Sequence, residues 1–431
     1  MLEKLEDLCL TFFGIIYCDL FLSKSCFWPK AKMEKYQYHK LKKLLLVCQN
    51  EVPYYKRLFR EIGFDTRRDF KTIKDLEKIP ITTKTTFRKN SDDFLNKKYE
   101  KSALIMKTSG STGEPLKVYV SKKHWIMEQA VVWMQWKWAG YHFRNKMAII
   151  RSYAPKNERC KKLIKFDKVR NFIYYSPYDM TDKNMKKYLD HMAGKKVLFL
   201  RGYPSSLEVL AKYVLRTGYN VPKIKGIFVS SEVLSDTTRK CIERAFGAKV
   251  MNYYGLAECI VAAGDCSEHQ GLHIFGEYGY MEFLDTQVEK QKKIIGTNLN
   301  NYAMPLLRYE TNDLAEILEG TPFCNHTYQT IKNVAGRCNN VIKLKDRDIP
   351  LTNIFTIMDQ FEDVVSWQII QHGDYKVELI LENKVTNCVE LKLYEEFRSR
   401  LPKEILFHIS NGGIFKRSGE GKKMAFMRVE L

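Results

Sequence analysis

The chain has 431 residues, of which 45% are hydrophobic and 13% aromatic, which excludes a disordered or low-complexity protein and suffices for two or three domains with sizeable cores. Its formal net charge is +21, with the basic residues spread along the chain and no zinc-finger, RNP or helix-turn-helix signature among them, so nucleic acid is not an expected partner. Such a surface attracts polyanionic small molecules or anionic lipid instead, and eleven cysteines, an odd number in a long chain, do not read as a secreted disulfide framework.

In chain order, Leu8 to Leu22 comes first, an apolar stretch too short for a comfortable membrane span and interrupted by Asp19. Glu3, Glu6 and Asp7 stand where a secretory signal needs positive charge. The stretch reads as a helix docked on the domain; the alternative is an interfacial anchor helped by the basic residues from Lys24 to Lys43. The expected compartment is the cytoplasm, at the inner face of the membrane in the second case. Residues 34–78 read mainly as helices, with Tyr38, Leu41, Leu44, Leu45 and Cys48 at helical spacing.

Thr108, Ser109, Gly110, Ser111, Thr112 and Gly113 follow, between an apolar run and a β-prone one, flanked by Lys107 and Lys117. Two glycines permit positive φ, so that consecutive N–H groups can converge on one anion. Four hydroxyls and two lysines add donors and positive field. This is the chemistry of a phosphate cradle, although serine- and glycine-rich turns are commonly only turns. It is not a Walker loop, because no Gly-Lys-Ser/Thr closes it. A helical pattern covers residues 122–139, with Trp133 and Trp136 one turn apart. Met147–Ile150, Lys196–Leu200 and Gly226–Ser230 are apolar runs separated by helical patterns, which predicts an α/β architecture with a substantial parallel sheet. After Gly279 the chain turns β-rich. A boundary is expected at Gly336-Arg337. Beyond it lies a small α+β module: a hairpin around His372-Gly373-Asp374, a helix from Val389 to Leu401, and strands at Ile405–Ile409 and Met424–Val429.

Asn252-Tyr253-Tyr254-Gly255-Leu256-Ala257-Glu258, Leu307-Arg308-Tyr309-Glu310-Thr311-Asn312-Asp313, Gly336-Arg337 and Gly421-Lys422-Lys423 follow the serine- and glycine-rich loop in a fixed order. In that order they resemble the adenylate-forming superfamily of acyl-CoA synthetases, adenylation domains and luciferases. Asn50–Tyr55, Ile79–Lys84 and Arg201–Ser206 narrow the resemblance to the phenylacetate-CoA ligase and CapK-like branch, over nearly the whole chain from about residue 35. The resemblance implies an N-terminal adenylation domain, residues 1–335, and a mobile C-terminal lid, residues 336–431. It implies ATP-dependent activation of a small carboxylic acid. The loop from Thr108 to Gly113 would hold the β- and γ-phosphates, Glu258 would bind Mg²⁺, and Tyr254 with Gly255 would pack near the adenine or α-phosphate. Asp313 would accept from the ribose hydroxyls, Arg337 would assist near the hinge, and Lys422 would reach the α-phosphate and carboxylate. Ser231 and Glu232 would border the nucleotide, and Tyr203 would line the acyl pocket. The chain departs from the family at Ser111, at Asn312 in place of a frequent glycine, and at Asn339-Asn340 in place of an acidic hinge residue. An Asn at position 312 suits a left-handed turn.

Cys266 and His273, with Cys324 and His326, form two Cys/His clusters able to make a tetrahedral Cys₂His₂ zinc site, and the branch resemblance supports metal there. Ordinary buried cysteines and exposed histidines are the bland alternative. The acyl acceptor stays open at this level. It is the CoA thiol, an amine or hydroxyl of a sugar or amino acid as in surface-polysaccharide assembly, or none, in an adenylyltransferase. A non-catalytic scaffold retaining the fold is a different class, which Glu258, Asp313 and Lys422 argue against.

Overall fold

The computed structural model describes residues 2–107, 117–151, 163–177, 180–286, 290–318, 320, 324–337, 341–344, 348–350, 357–358, 361, 363–364, 366–401, 403–416 and 425–429. They form two compact units, residues 1–141 with 251–335 and residues 142–250 with 336–431. The described strands, in chain order, are β1 (Leu104–Lys107), β2 (Lys117–Val120), β3 (Met147–Ile150), β4 (Ile164–Asp167), β5 (Phe172–Tyr175), β6 (Phe199–Gly202), β7 (Gly226–Ser230), β8 (Val250–Gly255), β9 (Ala262–Asp265) and β10 (Leu272–Ile274). They continue with β11 (Gly279–Asp285), β12 (Lys292–Asn298), β13 (Tyr309–Ile317), β14 (Thr330–Arg337), β15 (Val341–Lys343), β16 (Asp348–Pro350), β17 (Trp367–His372), β18 (Lys376–Leu381), β19 (Leu406–Asn411) and β20 (Phe426–Val429).

The first unit begins with the helix Leu2–Tyr17, continued by a wider π-type turn at Cys18–Leu22. This helix lies on the helix Lys122–Trp138, burying Leu10, Cys18 and Leu22, as the docked reading requires. The two helices pack closely at Gly14, where a Cβ would sit 2.5 Å from Gln129 Cβ. The region expected to be helical resolves into Lys30–Glu51 and Pro53–Glu61, where Leu41, Leu44, Leu45 and Cys48 are all buried. Val52, ahead of Pro53, is extended, as a residue preceding proline prefers. The strands of this unit run in the order β11-β12-β13-β14-β10-β9-β8. The resolved pairings β8–β9, β9–β10, β10–β14, β11–β12 and β12–β13 are antiparallel.

In the second unit the order is β7-β6-β3-β5-β4. β7, β6, β3 and β5 are mutually parallel, and β4 is an antiparallel edge. The helices Asp182–Gly194, Pro204–Thr217 and Asp236–Phe246 close the connections, and the core joins Ala148, Ile150 and Leu200 to Leu207, Leu210 and Ile242. The apolar run at 196–200 places its strand two to three residues early: β6 is Phe199–Gly202, while Lys196 turns left-handed at φ +54° and Val197 is buried in the connection. The C-terminal segment forms its own sheet, β19-β18-β17-β20, with the helix Asn387–Arg400. Its core contains Ile369, Val377, Leu379, Leu393, Phe397 and Phe407. The fold is thus α/β, with parallel strands in one region and a β-rich region in another.

Candidate functional site

β8 delivers Asn252, Tyr253, Tyr254 and Gly255 and then breaks into a turn ending at Glu258-Cys259. A side chain at Gly255 would meet the Tyr253 ring at 2.8 Å. Cys259 is left-handed, with φ +53°, and its N–H donates to Leu256 O at 3.0 Å. Its carbonyl accepts from Nε2 of the buried His124 at 2.6 Å, which pins the turn to the helix Lys122–Trp138.

β13 supplies the facing residues. Its pairing with β12 shifts register between Lys293 and Ile295, so the partners jump from Leu314 to Glu310 and the intervening residues bulge. Asn312 at the bulge has φ +62°, the left-handed conformation that asparagine tolerates and that its position in the motif anticipates. Thr311 Oγ1 accepts from Asp313 N at 3.1 Å and donates to Ile294 O at 2.9 Å, holding the bulge in shape. Bulges re-aim side chains, and here the outcome is a crossed pair. Tyr254 Oη of β8 donates to Asp313 Oδ2 of β13 at 2.9 Å. Tyr309 Oη of β13 donates to Glu258 Oε1 after β8 at 3.2 Å. Both acids are buried, and each is oriented by a phenol from the other strand. Burial first, then the Asp313 charge, raises the Tyr254 hydroxyl well above its ordinary range, so it remains a donor.

The branch-level segments support this strand. Tyr55 Oη accepts from Leu307 N at 2.8 Å. Thr82 brackets the same strand, donating from its N–H to Arg308 O and accepting from Glu310 N, each at 3.0 Å. Arg308, at φ +46°, gives Nε to Glu282 Oε1 at 3.0 Å and Nη1 to Ile79 O at 2.8 Å. Asn50–Tyr55 and Ile79–Lys84 therefore act as struts for Asp313. Sequence reasoning missed that role, as it missed Tyr309, because the partners are remote along the chain.

Cys266, His273, Cys324 and His326 come together, with one ligand atom from each, all within 4.8 Å of one another. His273 Nε2 lies 3.2 Å from Cys266 Sγ and 3.3 Å from Cys324 Sγ. Nδ1 of the same ring faces Thr330 Oγ1 at 3.2 Å, which orients the ring from behind as ligand histidines require. Ligand atoms around a tetrahedral zinc stand roughly 3.4–3.8 Å apart, given the usual zinc–sulfur and zinc–nitrogen bond lengths. The two distances from His273 Nε2 to sulfur lie close to that range, the widest separation of 4.8 Å is about 1 Å beyond it, and the donor set fits. His326 Nδ1 is buried without a hydrogen-bond partner, an orphan that a metal would satisfy. Burial holds His273 neutral, down to about 4, and pushes the Cys266 thiol up to about 12.

In the second unit, Tyr203, Ser231 and Glu232 gather at the C-terminal ends of the parallel strands, where ligands bind in open α/β sheets. Ser231 has φ +74°. Arg151, which the sequence did not single out, directly follows β3 and reaches Ser230 Oγ at 3.0 Å, with its guanidinium 5.1 Å from the Tyr203 ring centre. Glu232 accepts from Ser205 N at 3.0 Å and Ser205 Oγ at 3.1 Å, capping the helix Pro204–Thr217. Its carboxylate thus has a structural task. Trp133 and Trp136 pack with Tyr141 in the core, and Trp138 stacks on His326 with ring centres 4.6 Å apart. Thr108 to Gly113 and Lys422 lie outside the described residues, and Arg337 is described only as the last residue of β14.

No protein-family profile matches the chain. Protein CapK of Staphylococcus aureus is 24% identical, over 95% of this chain and 96% of that protein. The phenylacetate-coenzyme A ligase of Thermus thermophilus is 24% identical, over 78% of this chain and 77% of its own. Among solved structures, 2-hydroxyisobutyryl-CoA ligase in the postadenylation state, in complex with 2-HIB-AMP, superposes with a TM-score of 0.73 at 15% identity, covering 94% of this chain and 93% of that one. The fold is that of the adenylate-forming ligases. In sequence the chain is similar to the phenylacetate-coenzyme A ligases and to CapK.

Proposed function

We propose that the chain activates a carboxylic acid with ATP as an acyl-adenylate, releases pyrophosphate, and passes the acyl group to the thiol of CoA. A carboxylate is a poor electrophile because its charge repels nucleophiles and it lacks a leaving group. Attack of the carboxylate on the α-phosphorus of ATP expels pyrophosphate and leaves a mixed anhydride, which the thiol then opens with loss of AMP. The observation that carries this reading is the crossed pair Tyr254–Asp313 and Tyr309–Glu258. It presents two buried acids with different tasks. Asp313 would accept from the vicinal hydroxyls of the ribose, for which two carboxylate oxygens are suited. Glu258 would hold Mg²⁺, which neutralises phosphate charge when bound. Thr108–Gly113 would cradle the β- and γ-phosphates. Lys422 would approach the α-phosphate from a C-terminal lid beginning at Gly336, and Arg337 would act near that hinge. Ser231 and Tyr203 would border the nucleotide and the acyl group, with Arg151 beside them. Cys266, His273, Cys324 and His326 would hold a structural Zn²⁺ binding β10 to the segment before β14. A cytoplasmic location suits these substrates.

The test is ATP–pyrophosphate exchange across aryl, hydroxy and sugar acids, followed by acceptors. Exchange with one acid and thioester formation with CoA support the proposal. Absence of exchange with every acid would instead favour a scaffold that keeps the fold. A second reading is favoured by the CapK match, which spans 95% of this chain where the Thermus ligase match spans 78%. The acceptor would then be an amine or hydroxyl of a sugar in surface-polysaccharide assembly. Exchange without CoA turnover, and with transfer to an amino sugar, distinguishes it. Exchange with no acceptor at all would mark an adenylyltransferase.

A further inference from the structure

The helix Leu2–Tyr17 uses one face for folding, where Leu10, Gly14 and Cys18 meet the helix Lys122–Trp138. Its other face carries Leu5, Phe12, Phe13 and Ile16, which are 58%, 39%, 57% and 51% exposed, and Leu20 in the π-type turn continues it at 67%. At 100° per residue the four helical positions fall within an arc of roughly 100°. Exposed apolar residues normally occur singly, so a contiguous row of large ones implies an occupant.

The charges around this row indicate which. Glu6 is paired with Lys122 at 2.6 Å and Asp19 with Lys137 at 2.5 Å. Next along the chain stand the exposed Lys24, Lys30 and Lys32, with Phe27 53% exposed and Lys32 Nζ 4.3 Å above the Trp28 ring. Apolar side chains beside aromatic rings and lysines form the pattern of a helix lying in a lipid interface. Among the described residues no helix is long and apolar enough to cross a membrane. A second copy of this chain, packed by a two-fold axis, would bring the same lysines towards one another, which disfavours that occupant. We propose that the outer face of the N-terminal helix rests on an anionic membrane surface, with Leu5, Phe12, Phe13, Ile16 and Leu20 in the interface and Lys24, Lys30 and Lys32 over the headgroups. This holds whichever acceptor the enzyme uses.

The full chain is sedimented with vesicles of phosphatidylcholine alone and of phosphatidylcholine mixed with phosphatidylglycerol, at low and high salt. Binding to the anionic vesicles that weakens with salt is expected. The double variant Phe13→Glu/Ile16→Glu should bind at least about tenfold more weakly while melting like the parent, because neither side chain contributes to the docked face. Should that variant fail to fold, Lys24→Glu/Lys30→Glu must reduce binding to the anionic vesicles, and unchanged binding overturns the proposal. Absence of vesicle binding at low salt also overturns it. So does a dimer that Phe13→Glu/Ile16→Glu dissociates without any lipid dependence.

Discussion

The role of Asp313 is tested by which ligands its substitution weakens. If Asp313 receives the ribose, Asp313→Ala removes a charged acceptor from a buried diol, a loss of roughly 1.5–3 kcal/mol. That is about tenfold to a hundredfold in AMP and ATP affinity, with pyrophosphate spared because it has no ribose. Titration of the three ligands checks this, and an unchanged AMP affinity removes the ribose assignment. Cys324→Ser makes an independent test of the Cys₂His₂ cluster. Purified parent protein should contain close to one zinc per chain and the variant little, with a lower melting temperature, because metal held only by the folded state stabilises it. Metal-free parent protein of unchanged stability would refute the site. His124 gives a pH dependence. Burial lowers it from 6.5 to about 4, opposed by its bond to Cys259 O, and its Nδ1 has no partner. The unfolded chain therefore binds the proton first as pH falls. The stabilising effect of a neutral His124 is complete above about pH 6.5 and is lost progressively between there and about pH 4. Between pH 7 and pH 5 one such histidine lowers stability by about 2 kcal/mol. Denaturant titrations at the two pH values should show His124→Gln losing that increment of slope.

Among the elements, the N-terminal helix sets propensity against packing. Gly14→Ala improves intrinsic helix propensity by about 1 kcal/mol. The added Cβ, however, would lie 2.5 Å from Gln129 Cβ and 3.1 Å from Ile126 O, neither of them a flexible side-chain end. Packing should dominate, and Gly14→Ala should lower the melting temperature; a rise would show that the two helices can separate without cost. The same contrast explains what was legible in the sequence. Helical spacing at Leu41, Leu44, Leu45 and Cys48 identified a buried face correctly, and apolar runs located β3 and β7. The run containing Val197 and Leu198 misplaced β6, since an apolar residue can be buried in a connection as readily as in a strand. The turn Leu256–Cys259 and the bulge at Asn312 depend on backbone conformations that one residue type hints at and tertiary contacts enforce. The two acids could be read from their motifs. The phenols orienting them could not, because Tyr309 reaches Glu258 from 51 positions away. Cys266, His273, Cys324 and His326 were legible as residue types, but only folding brings their atoms within 4.8 Å.

Over the whole molecule, the proposed chemistry divides its labour between distant parts of the chain. Asp313 and Glu258 belong to the unit that contains residues 251–335, and Lys422 to the C-terminal segment. A lysine is a compact, mobile point charge, suited to a contact made for one step and then released. If Lys422 acts on charge developing at the α-phosphate, it contributes in the transition state and little in the ground state. Lys422→Ala should then lower the pyrophosphate-exchange rate by roughly a hundredfold to a thousandfold, the usual effect of removing one donor from such a site. ATP affinity and melting temperature should be nearly unchanged, placing the loss in kcat rather than KM. Thioester formation from a presynthesised acyl-adenylate should survive, because the α-phosphorus is no longer under attack in that step. Lys423→Ala controls the register: if that variant is the inactive one, the adjacent lysine does the work. Full exchange activity in Lys422→Ala and Lys423→Ala alike would remove the C-terminal segment from adenylation, leaving Glu258 and Asp313 to act without it.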